Sequence, residues 1–337
     1  AFLDKLLEDP DRGVRRAAIN LAGRYNNENL NKKMVRMISD PRHAHFVTNV
    51  LLESTKGIMP ELDKLFHEEK EIPVLRRIIE LLAKIGTREA KNQLVQHIDY
   101  PNREIQFAVI RALSFCRYQA TGAARARIIK KIKNMTATNL WVLMAINILE
   151  KEKSNLKLAQ ALEHEWEMLY ELLFHLLSFI YKPTTIALIK KNLSGENTIF
   201  ALELIDNFLD KDIKEWVVPV VDDSTIGQRI RRLRHLVPLQ KMSYNELLID
   251  IIIKDYDQVS LWTRAKAIEA MGRVQRRKRS KQQRAIQKGG YNDIPLWTTE
   301  AVKETLSKIR KSELPDEVFV CRSEERRVGK ECTLRCR

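Results

Sequence analysis

Val14-Arg15-Arg16-Ala17-Ala18-Ile19-Asn20-Leu21-Ala22-Gly23 is the stretch from which the fold of this chain is read. Its apolar positions recur at helical spacing, and the block itself recurs. Sixty-one residues on stands Leu75-Arg76-Arg77-Ile78-Ile79-Glu80-Leu81-Leu82-Ala83-Lys84, and thirty further on Ile105-Gln106-Phe107-Ala108-Val109-Ile110-Arg111-Ala112-Leu113-Ser114. A helical unit of this length cannot bury its own apolar face and has to stack on a neighbouring copy. X-Pro steps keep the same beat. Asp9-Pro10, Asp40-Pro41, Ile72-Pro73 and Tyr100-Pro101 are spaced by 31, 32 and 28 residues. Proline disfavours helix in the residue before it and suits the first turn of a helix, so each step reads as the turn from an outer to an inner helix. Gly23, Gly57 and Gly86 are expected near the ends of the inner helices, where a left-handed cap is often needed. The expected fold class is all-α: an α-solenoid, a superhelix of stacked helical hairpins, with four pairs over residues 1–120 and truncation at both ends.

The rest of the chain repeats less strictly. Residues 140–149 and 156–181 read as longer helices, the second with a stripe of Leu172, Leu173, Leu176, Leu177 and Ile180. Pro183 opens a helix to Leu193. Residues 199–209 and 213–221 form a pair, Asp222-Asp223-Ser224 caps a helix over 226–236, and 247–253 leads to 262–273, where Thr263-Arg264 recovers the opening block. The expected division is 1–135 as regular repeats, 136–272 as less regular repeats of the same solenoid, 273–295 as a basic flexible loop, 296–321 as a last partial repeat, and 322–337 as a foreign tail.

The V-R-x-x-A-x-x-L-A-G pattern at Val14–Gly23 resembles HEAT-type, armadillo-like repeats, and the period near 30 fits the short bacterial variety. A narrower resemblance lies in Leu176–Tyr181, Ile189–Ser194 and Ala201–Asn207. These stretches look like the helical-repeat region of large bacterial membrane proteins akin to ATP/ADP-type nucleotide carriers. That resemblance implies an interaction or regulatory module, with the transport and nucleotide-binding residues outside this stretch. Ser323-Glu324-Glu325-Arg326-Arg327-Val328-Gly329-Lys330-Glu331-Cys332 resembles translated sequencing-adapter DNA, which implies no evolved function from about residue 322 onward. The chain also opens at Ala1, in the middle of what reads as a helix, and is expected to be a fragment.

The net charge is +15, but it is localised. Residues 273–290 carry eight Lys or Arg and no acid, and 322–337 carry +3, which leaves +4 for the other 303. One further patch stands out: 105–149 holds seven basic residues and no Asp or Glu. The apolar stretches are about ten residues long at most, whereas a bilayer span needs about 20. Of the four cysteines, only Cys116 sits in the repeat body, where it reads as a small buried hydrophobe. No CxxC pair offers zinc or redox spacing.

Enzyme constellations are not found. His164-Glu165-Trp166-Glu167-Met168 lacks the second histidine of a metalloprotease helix, and no P-loop, G-x-S-x-G or G-x-G-x-x-G occurs. His43 and His45 have no third ligand adjacent and read as surface residues. Arg15, Arg76 and Arg264 share one repeat position, where an arginine is expected to pair with an acid or carbonyl of a neighbouring repeat; a ligand-facing row is the alternative. Arg125, Arg127, Lys130, Lys131 and Lys133 make a basic helical segment in which Arg127, Lys130 and Lys131 share one face with position 134, read as a solvated face or as contacts to phosphate or an acidic partner. Arg276, Arg277, Lys278 and Arg279 lie in a basic run without aromatics, which offers sequence-blind contact to nucleic acid or anionic lipid.

The functional expectation is a non-enzymatic scaffold with a protein partner on its concave face, no cofactor and no small-molecule substrate. Its expected place is cytoplasmic, tethered to the inner membrane through flanking segments. Nucleic-acid binding is the competing reading. Its special case is a HEAT-like alkylpurine DNA glycosylase, for which Asp250 and Trp262 are the candidate residues.

Overall fold

A computed structural model describes residues 2–53, 57–152, 155–193, 197–222, 224–238, 240–254 and 258–287, with side chains as far as 274. Among the described residues there are sixteen α-helices and no strand. The first eight are α1 (Phe2–Leu6), α2 (Arg12–Tyr25), α3 (Glu28–Arg36), α4 (Ala44–Leu51), α5 (Ile58–Glu68), α6 (Ile72–Ile85), α7 (Arg88–Gln96) and α8 (Arg103–Phe115). They form the four expected pairs, and each X-Pro step stands at the entry to an even-numbered helix. Pro73 lies in the first turn of α6, while Pro10 and Pro101 precede the N-caps Asp11 and Asn102. The caps are chemical stops. Side chains of Asp11, Asn27, Thr87 and Asn102 accept the free N–H groups of the first turns.

The remaining helices are α9 (Gly122–Glu152), α10 (Leu156–Ile180), α11 (Pro183–Leu193), α12 (Thr198–Phe208), α13 (Lys211–Val221), α14 (Ile226–Leu233), α15 (Tyr244–Ile253) and α16 (Leu261–Gln287). Two compact units interleave along the chain: residues 1–135 with 170–222, and 136–169 with the described residues beyond 222. Helices α9 and α10 therefore contribute to both.

In the first unit α2 packs on α4, α4 on α6 and α6 on α8, while α3 packs on α5 and α5 on α7. Ile19, Val47, Ile78, Leu82, Val109 and Leu113 are buried in the apolar stripes of α2, α4, α6 and α8. Gly23 lets α2 and α4 approach closely, because a Cβ there would stand 2.2 Å from Val50 Cγ1. The second half of α10 closes on the turn between α8 and α9. Ala120 donates to the Phe179 carbonyl (2.8 Å), and the His175 ring meets Ser114 Oγ (2.9 Å).

In the second unit α15 packs on α16. The indole of Trp141 on α9 donates to Asp250 on α15 (2.7 Å). The Ser260 hydroxyl caps α16 by accepting from the Thr263 N–H (3.2 Å), and buried Glu165 on α10 braces that turn, accepting from the Ser260 N–H (3.1 Å) and the Thr263 hydroxyl (2.6 Å).

Several expectations are corrected. Residues 273–287, read as part of a loop, are helical to Gln287. Arg, Lys, Gln and Ala are good helix formers, and no glycine or proline interrupts them before Gly289. The remainder of that loop, the partial repeat at 296–321 and the tail at 322–337 lie outside the described residues. Of the three glycines, Gly86 caps α6 at φ 61°, Gly57 instead precedes α5, and the left-handed residue after α2 is Asn26 at φ 44°. Helix α14 starts from Thr225 in a capping box with Gln228, not from Asp222-Asp223-Ser224, and ends at Leu233.

Candidate functional site

The basic stripe on α9 is largely met by acids from its own unit. Arg127 donates to Asp99 through Nε (3.0 Å) and Nη2 (2.9 Å), and Lys131 reaches the same carboxylate (3.1 Å) and Gln106 (2.7 Å). Burial raises the Asp99 carboxyl, but the bonds from Lys131 and Arg127 outweigh it and leave the group below its ordinary range. Arg125 pairs with Asp210 (2.6 Å) and donates to the Ile180 carbonyl (3.2 Å). Tyr181 donates to that same Asp210 (3.0 Å), and its phenol is pushed up to about 12, by burial first and then by the carboxylate. Lys133 reaches Asp212 (3.5 Å) and stands over the Trp216 ring. Lys130 stays exposed. A helical backbone carries Arg276, Arg277, Lys278 and Arg279, whose side chains lie outside the described residues.

The repeat arginines divide. Arg15 donates to the carbonyls of Asp9 (2.5 Å) and Pro10 (3.1 Å) at its own turn, and its Nε donates to His43 Nε2 (3.1 Å) on the next pair. Arg264 likewise donates to a carbonyl, that of Lys254 at the end of α15. Gln106 holds the same repeat position in α8 and bonds the Tyr100 carbonyl (2.7 Å), six residues back as Arg15 does to Asp9. Arg76 stands exposed, and its neighbour Arg77 donates to the Ile38 carbonyl (3.2 Å).

His43, read as a surface residue, is buried. Its Nε2 must accept from Arg15, so Nδ1 carries the proton and donates to Asp40 (3.0 Å). The Arg42 side chain foremost, with its backbone N–H and His43, holds the Asp40 carboxyl well below the usual range. The Asp-His pair resembles part of a catalytic relay, but the nitrogen that would take a proton is occupied by Arg15. His45 remains exposed beside Asn49.

Asp250 accepts from Trp141 and from Lys254 (3.2 Å), whose ammonium stands over the Trp141 ring. Trp262 is half exposed with Lys266 over its face (4.1 Å). Among the described residues the contacts of Asp250 and of Trp262 have no residue in common. Cys116 is half-buried and donates to the Ala83 carbonyl (3.1 Å), and burial pushes its thiol up, as suits a packing residue.

The even-numbered helices leave polar side chains exposed: His45 and Asn49 on α4, Arg76, Glu80 and Lys84 on α6, and Glu104 and Arg111 on α8, with both signs of charge among them. Asp63, His67 and His97 are a group among the described residues that converges closely enough to share a metal ion, and the sequence reading missed it. Its legible signal is an i,i+4 pair followed by a histidine 30 residues on.

No family model matches the chain, and comparison with curated proteins finds no significant match.

Proposed function

We propose that the chain is a HEAT-like α-solenoid acting as a non-enzymatic scaffold, which holds a protein partner along the open edges of its inner helices. The observation that carries this reading is serial packing. Inner helix lies on inner helix through α2, α4, α6 and α8, so each pair covers the apolar flank of its predecessor. The open edge carries Arg76, Glu80, Lys84, Glu104 and Arg111, a mixed-sign surface that suits a protein and not a phosphate backbone. The nucleic-acid reading is weakened because Asp99, Asp210 and Asp212 already neutralise the α9 cations. In the resembling bacterial carriers the repeats form an interaction module, and we assign the chain that setting. It would lie on the cytoplasmic side, held to the inner membrane by flanking segments. No helix among the described residues is long and apolar enough to cross a membrane.

The test is a pull-down with a separately expressed carrier portion. Retention by the native chain and its loss in R76E/K84E, at unchanged helical circular dichroism, supports the reading; no retention by the native chain overturns the carrier setting. Duplex DNA affinity is measured against salt in parallel. A flat or undetectable response is expected, because phosphate contact has to release counterions. A steep fall with salt would restore the nucleic-acid reading.

A further inference from the structure

His67 closes the last turn of α5 and His97 follows the end of α7, so the two stand at equivalent places in successive outer helices. Stacking sets such places side by side. Asp63 lies one turn before His67, on the same face of α5. One ring nitrogen from each histidine and one carboxylate oxygen of Asp63 all lie within 4.8 Å of one another.

The polar atoms here have few other partners. His97 is only 8% exposed, and no hydrogen bond is made by its ring among the described residues. Oδ1 of Asp63 is buried and likewise accepts no hydrogen bond. A buried carboxylate oxygen left without a hydrogen bond is costly unless something else completes it. His97 stacks on Phe66 at 3.9 Å between ring centroids, which fixes its plane. His67 is the movable member, with a side chain 63% exposed. Its Nδ1 donates to the Asp63 carbonyl (2.7 Å), which can only accept, so its lone pair lies on Nε2.

We propose that Asp63, His67 and His97 form a divalent metal site of the zinc type that clamps two successive outer helices together. Two imidazoles and one carboxylate make a three-ligand set that zinc takes readily, with water completing the tetrahedron. Ligands around such an ion stand roughly 3.3 Å apart, from bonds of about 2.0 Å. Rotation of the exposed His67 ring closes the set around the fixed His97. The clamp joins repeats and carries no reaction.

The test uses the full 337-residue chain. Zinc is titrated by calorimetry into the native protein and into H67A and D63N. The tail thiols are common to all three, so a loss of one bound equivalent in each variant belongs to this site. Equal stoichiometry and affinity in all three overturns the proposal. Histidine modification by diethyl pyrocarbonate, mapped by mass spectrometry on the native chain, needs no variant. Zinc should protect His67 and leave His164, 70% exposed, as reactive as before. Equal reactivity of His67 with and without zinc overturns the site.

Discussion

A single repeat position shows how much one residue depends on its neighbours. Arg15 and Gln106 tie their helices to the turn six residues earlier, and Arg76, in register with both, points to solvent. Arg15→Met strands two carbonyls and the buried His43 nitrogen. A loss of about 1–3 kcal/mol in chemical denaturation is expected, and Arg76→Met should change stability by less than about 0.5 kcal/mol. Leu21 makes the same point: it is 43% exposed where its equivalent Leu82 is 2% exposed. Gly23→Ala is expected to cost about 1–3 kcal/mol by driving a methyl into Val50. In a Val50→Ala background most of that cost should vanish, since the clashing Cγ1 is gone; an undiminished cost would place the strain elsewhere. Asp40 carries a pH signature. Its carboxyl is depressed on folding, so its contribution is full above the unfolded value of about 3.9 and is lost as pH falls toward the folded value. Asp40→Asn should flatten that part of the acid limb in a stability–pH series.

At the scale of elements, propensity and punctuation governed what could be read. Proline steps and polar caps placed the first eight helices, and Pro183 placed the start of α11. The continuity of α9 over 31 residues was less visible, because two segments with different surroundings share one uninterrupted backbone. Its first half is anchored by Asp99, which is half exposed, so Asp99→Asn should cost no more than about 1 kcal/mol and less in high salt. The start of α16 is a stricter case. Glu165 is buried and accepts from both the Ser260 N–H and the Thr263 hydroxyl, beside the Ser260 hydroxyl that caps the Thr263 N–H, so Glu165→Ala strands those two donors at the start of the helix. A loss of about 1–3 kcal/mol is expected, with faster amide exchange confined first to residues 261–267.

At the scale of the whole molecule, stability in a stack is a sum of local terms and neighbour interfaces. Ile78 is wholly buried in α6, which packs on both α4 and α8. Ile78→Ala should cost about 2–5 kcal/mol. On the stacked reading, amide exchange rises in α4, α6 and α8 and stays near native in α15. Uniform acceleration along the chain would contradict it.

The recurring apolar block, the proline beat and the capping residues determined that this chain is helical and where its first eight helices lie, because those signals act within a few residues. Charge could be counted but not assigned: nothing near Arg125 or Arg127 in the chain announces that Asp210 and Asp99 will meet them. Tertiary packing decided that the α9 stripe is paired, that His43 is buried, and that Asp63, His67 and His97 converge. Each of these depends on side chains brought together across repeat-length separations or longer, where contact is set by how helices stack and not by local spacing.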